Sequence, residues 1–142
     1  MNTSYENDVV AWAHEQAALL RAGNLNEIDV LNIAEEIEDV GKNKQHELAS
    51  RLAVLLAQLL KWKFQQYLRG NSWKRTITLQ RSRIARSLRK YPSLKHLLID
   101  DDWLDEVWED AVQLAERQTN LVLPETWIWS WNEVIDQRFY PD

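Results

Sequence analysis

Glu35 and Glu38 stand three residues apart in the stretch NIAEEIEDVG, residues 32–41. On a helix, that spacing turns two carboxylates to one side, where acids from a second helix can complete an oxygen cage for Mg²⁺. Asp101, Asp105 and Glu109 are the acids available for such a cage. The chemistry would be metal-dependent phosphohydrolysis. Acids three apart also occur on ordinary solvated faces, so the pair alone assigns no metal.

A second constellation is basic. WKRTITLQRSRIARSLRKYPSLK (73–95) turns Arg75, Arg86, Arg89 and Lys90 away from an apolar stripe of Trp73, Ile77, Ile84, Leu88 and Tyr91. Such a face can contact nucleic-acid phosphates. The chain as a whole carries a net charge of −5, and no aromatic residues interleave with the basic face to stack bases. Nucleic acid is therefore not the favoured partner.

The third constellation is a polar network. If Gly41 closes a helix, Glu35, Glu36, Glu38 and Asp39 sit at its negative end, at a cost of ~0.3–1 kcal/mol. A charge-assisted hydrogen bond contributes ~1.5–3 kcal/mol, so bases on neighbouring helices can hold the acids there. Arg51, Lys61 and Arg81 are the expected partners. Asn32 shares an edge with Asp29 and Glu36. Gln16 and Gln80 interrupt apolar faces, and a buried amide must find hydrogen bonds in such a network.

Other chemistry lacks its residues. There is no G-x-x-x-x-G-K-[ST] or G-x-G-x-x-G phosphate cradle and no G-x-S-x-G elbow. His14, His46 and His96 fall in separate helical segments without H-x-x-x-H spacing. With no cysteine, thiol catalysis and thiolate metal sites are excluded. No catalytic residue, metal or cofactor is assigned, and the reading leans away from an enzyme.

The elements that must position these residues are helical. Apolar residues recur at helical spacing over 5–22, 27–40, 44–69, 73–91 and about 94–119. The 44–69 segment is apolar over so wide an arc that it must lie centrally. Gly23-Asn24, Gly41-Lys42-Asn43 and Gly70-Asn71 read as helix ends followed by caps. Asn43 and Ser72 then open the third and fourth helices, and Pro92-Ser93 opens the fifth. The last pattern is expected to break near DDDW (100–103). TWIWSW (126–131) follows as an extended strap, and Asn132 caps a short final helix. Each of the eight tryptophans can bury ~150–250 Å², so the strap must pack down or meet a second subunit.

A chain of 142 residues suits one domain, 1–142. Its charge is segregated: residues 1–40 hold nine acids and one base, 74–95 eight bases and no acid, and 100–116 eight acids and no base. Asn2, Glu6 and Asp8 interrupt any signal-like start, and LAVLLAQLL (52–60) is too short to span a bilayer. A cytoplasmic protein without a membrane partner is expected.

WAHEQAALLRAG, NIAEEIEDVG, ELASRLAVLLAQLLKWKFQ, SWKRTITLQRSRI, YPSLK and the closing NEVIDQRFYPD occur together and in order. In this the chain resembles a bacterial, largely cyanobacterial family known as domain of unknown function 29. The resemblance covers nearly the whole chain. It implies an all-α fold with no established activity. It also marks motif positions at Trp12, Glu15, Gln16, Asn32, Glu35, Glu36, Glu38, Arg51, Lys61, Trp62, Trp73, Gln80 and Arg81. The chain departs from the pattern at Gln58, where histidine is frequent, and at Gln66, where proline is frequent. No histidine-dependent chemistry carries over to that place. The expectation is an all-α, antiparallel bundle of about five helices with a Trp-rich C-terminal strap, acting as a self-associating, non-enzymatic interaction module.

Overall fold

A computed structural model describes residues 4–142. The protein is all-α: α1 (Val9–Arg21), α2 (Val30–Phe64), α3 (Asn71–Lys90), α4 (Asp101–Thr119) and α5 (Trp131–Ile135). Short 3-10 stretches at Gln66–Leu68 and Pro92–Ile99 connect them. The described residues divide into two compact units, one ending at Asn43 and the other spanning Lys44–Asp142.

Lys44–Asp142 holds the core. Leu48, Leu52, Leu55, Leu56, Leu59 and Leu60 of α2 are fully buried, joined by Ile77 and Ile84 of α3 and by Val107, Trp108, Ala111 and Ala115 of α4. Three helices pack around this seam. Lys44, Glu47 and Arg51 share a cleft with Arg83, Arg86 and Lys90, while Lys61 lies over the Trp73 ring at 5.5 Å. The start of this part of α2 thus meets the end of α3, and its end meets the start of α3, so the two run antiparallel. Lys61 Nζ also donates to Gln118 Oε1 at 2.7 Å, which places the last turn of α4 at the same end.

The expected break at DDDW is present. Asp100 accepts from the Trp103 amide and caps α4. Pro92-Ser93 opens a 3-10 stretch rather than a long helix. Ser130, not Asn132, caps the last helix, through a reciprocal bond pair with Glu133. The strap returns along α4: Trp108 Nε1 donates to the Pro124 carbonyl at 3.0 Å, and Trp127 Nε1 to the Leu104 carbonyl at 2.8 Å. Trp127, Trp129 and Trp131 pack on the core, and none of the eight tryptophans is exposed. The tail finds its cover within its own chain.

In the unit ending at Asn43, α1 lies against the first turns of α2, and Trp12 and Gln16 are the buried residues of α1. The link between them turns at Gly23, whose φ of +76° favours glycine.

Two further helix boundaries differ from expectation. Gly70 is an extended N-cap, with φ −168°, and α3 begins at Asn71 rather than Ser72. More consequentially, α2 runs through Gly41 without interruption. The acids of 35–39 lie mid-helix, and no end-of-helix penalty exists for bases to offset. Glycine in a helix interior costs only ~0.5–1 kcal/mol relative to alanine, too little to stop a helix anchored by the leucines of 48–60. A Cβ at Gly41 would meet nothing within 4 Å. Gly41→Ala is therefore expected to raise the unfolding free energy by about 0.5–1 kcal/mol, read from urea denaturation; a loss of stability would mean that the backbone there leaves helical geometry.

Candidate functional site

Several of the residues singled out from the sequence fall into two polar constellations and one basic cleft, while Arg75 and Arg89 lie outside that cleft. The first constellation centres on Asp29, at the entry to α2. Its side chain accepts from the Asn32 amide at 3.4 Å and from Asn32 Nδ2 at 2.8 Å. Its carbonyl accepts from Ile33 N. It thus does the work of a cap. The same carboxylate accepts from Trp12 Nε1 at 3.0 Å, while Gln16 Oε1 accepts from the Asp29 amide at 2.7 Å. Both reach across from α1, so one acidic residue both starts α2 and ties α1 to it. Hydrogen bonds from Asn32, and secondarily from Trp12, hold the Asp29 pKa below its ordinary value against the opposing effect of burial.

Glu36 accepts from the Tyr5 hydroxyl, and the Tyr5 ring meets Trp12 edge-on at 4.7 Å between centroids. Glu35 and Glu38 are exposed. Among the described residues, no group of three or more histidine, aspartate or glutamate side chains is placed to hold a metal ion. Sequence reasoning missed Tyr5; its only signal was a lone tyrosine ahead of α1.

The second constellation centres on Arg81, which is 1% exposed. Its Nε donates to the Val134 carbonyl and one Nη to the Phe139 carbonyl, each at 2.7 Å. The guanidinium carbon lies 5.6 Å from the Tyr140 ring centroid. Burial pushes the Arg81 pKa down, opposed by Tyr140 and Asp136. The bases expected to meet the acids of 35–39 thus have other partners. Arg51 pairs with Glu47 at 2.8 Å, and Lys61 meets Gln118 and Trp73. Around the buried Trp62 ring stand Arg69 and Tyr140, each 5.0 Å away, and Arg69 also donates to the Pro141 carbonyl at 3.0 Å. Gln80 Oε1 and Gln58 Nε2 are buried without a hydrogen-bond partner among the described residues, so Gln16 alone of the two expected glutamines has its carbonyl oxygen bonded.

The basic cleft lies between α2 and α3. It measures about 210 Å³ and is lined by Lys44, Glu47, Arg51, Arg83, Arg86 and Lys90 with Ser87 and Tyr91. Tyr91 and then Glu47 raise the Lys44 pKa, and a hydrogen bond from Arg51 and the charge of Lys44 lower that of Glu47.

Residues 4–140 match the family model described as Domain of unknown function DUF29, and the chain belongs to that family. No curated protein and no solved structure matches it.

The Tyr5–Glu36 bond has a pH signature. The Tyr5 pKa is raised from 10.0 to about 12, chiefly by the hydrogen bond to Glu36. A folded-state pKa above the unfolded one gives stability that is complete below pH 10 and lost as pH rises through 12. Ultraviolet titration against Tyr5→Phe is expected to place the Tyr5 midpoint near 12, falling toward 10 in Glu36→Gln; a midpoint near 10 in the unaltered chain would contradict the bond.

Proposed function

We propose that this DUF29 domain is a non-enzymatic cytoplasmic interaction module that pairs with a second copy of itself through α1 and the first turns of α2. The observation that carries this reading is uncovered apolar surface. In the described part of the unit ending at Asn43, Trp12 is the one buried apolar side chain. Val10, Leu31 and Ile37 are 66%, 83% and 67% exposed. So small a unit buries too little to be stable alone.

The pattern supports self-pairing. Val30, Ile33, Ile37 and Val40 recur at intervals of three, four and three, the seam spacing of paired helices. Ile33, Ile37 and Val40, with Trp12 and Leu20, line an apolar cleft of about 290 Å³. A two-fold arrangement supplies each copy with the same surface. Glu36, bound to the Tyr5 hydroxyl, borders this seam, while Glu35 stands on the opposite side of the helix and leaves the apolar stripe unobstructed. The absence of cysteine suits a reducing compartment.

Sedimentation velocity tests the reading. A concentration-dependent dimer is expected, with Ile37→Glu monomeric and unchanged in helicity because Ile37 is exposed. A monomer at every attainable concentration, or a dimer indifferent to Ile37→Glu, would reject it.

A further inference from the structure

The cleft between α2 and α3 is far from neutral. Lys44, Arg51, Arg83, Arg86 and Lys90 line it against the single carboxylate of Glu47. The lining follows helical periodicity from both sides. Lys44, Glu47 and Arg51 are spaced i, i+3, i+7, as are Arg83, Arg86 and Lys90. Glu47 is engaged by Lys44 at 3.5 Å and by Arg51 at 2.8 Å. Arg83 and Arg86 are exposed and make no ion pair among the described residues. Arg51 adds an independent observation: its side chain is 27% exposed, its one ion pair is to Glu47, and its Nε has no hydrogen-bond partner among the described residues, so the guanidinium keeps donor capacity beyond that pair.

We infer that this cleft binds a compact phosphoryl anion, the phosphate group of a phosphomonoester or a pyrophosphate. Guanidinium forks match the oxygens of a phosphoryl group in paired hydrogen bonds, and lysines add charge without that geometric demand. Two arginines from α3 and one from α2 supply the forks, and Lys44 and Lys90 supply further charge. The size selects a small ligand. Sites for drug-sized molecules begin at roughly 300 Å³, so a cleft of about 210 Å³ accommodates a phosphoryl or pyrophosphoryl group rather than a whole nucleotide. A nucleic-acid strand would instead need a basic track, and the chain's net charge of −5 opposes a long polyanion. The site is independent of the pairing surface, since all its residues lie within Lys44–Asp142.

The test is calorimetric titration of the full chain with inorganic pyrophosphate at low salt, beside citrate and a single-stranded oligonucleotide. One pyrophosphate per chain is expected, with citrate at least tenfold weaker and affinity falling as salt is added. Arg83→Gln combined with Arg86→Gln is expected to weaken pyrophosphate at least tenfold at unchanged helicity, because both side chains are exposed. Arg83→Lys with Arg86→Lys should restore the charge attraction and only part of the affinity. No heat with pyrophosphate at millimolar concentration would overturn the inference. So would binding that the double glutamine variant leaves intact, or oligonucleotide binding without pyrophosphate binding.

Discussion

A buried guanidinium with a carbonyl, rather than a carboxylate, at each of its two bonds holds the C-terminal segment of this protein in place. Arg81 reaches from α3 to the carbonyls of Val134 and Phe139. The last carbonyls of a helix need donors from outside it, and α5 is only five residues long. Charged donors to neutral acceptors contribute ~1.5–3 kcal/mol each, which offsets much of the several kcal/mol needed to take the charge out of water. From this clamp the chain continues to Tyr140 against Trp62 and to the Pro141 carbonyl, which accepts from Arg69. The strap's tryptophans can pack on the core because both ends of the segment are tied: by Trp108 and Trp127 at one end, and by Arg81 and Arg69 at the other.

What the sequence disclosed follows from where the signals are local. Helical periodicity, the break at DDDW and the packing of the TWIWSW tryptophans rest on patterns of a few residues, and the structure contains all three. The three glycines, alike in sequence, take different roles: left-handed at Gly23, extended at Gly70 and helical at Gly41. Their local preference is worth about 1 kcal/mol or less, so burial of the neighbouring turns decides. At Gly41 the leucines that follow carry the helix onward.

The partners of charged residues were harder to read. Arg81 was identifiable as a candidate, but sequence reasoning sought a carboxylate for it. Backbone carbonyls carry no residue-type signal, and their positions are fixed only when α5 has docked. Asp29, Asn32 and Glu36 were readable as neighbours along one edge, and Gln16 as an amide in need of a hydrogen-bonding network. The aromatic donors that complete their bonds, Trp12 and Tyr5, were not. The basic cleft was half visible: the basic run over 73–95 was evident, whereas the contribution of Lys44 and Arg51 required α2 and α3 to be brought together antiparallel.

Function divides along the same lines. The unit ending at Asn43 organises its polar groups and leaves its apolar side open, which suits a partner surface. Lys44–Asp142 has a closed core and a tail folded down on it, and concentrates uncompensated positive charge in one cleft.

Amide hydrogen exchange across the Arg81→Leu variant tests that clamp most directly. The account predicts that amides of 131–141 lose protection while those of 48–60 in α2 keep theirs, because the core leucines do not depend on the clamp. Undiminished protection over 131–141 would contradict it.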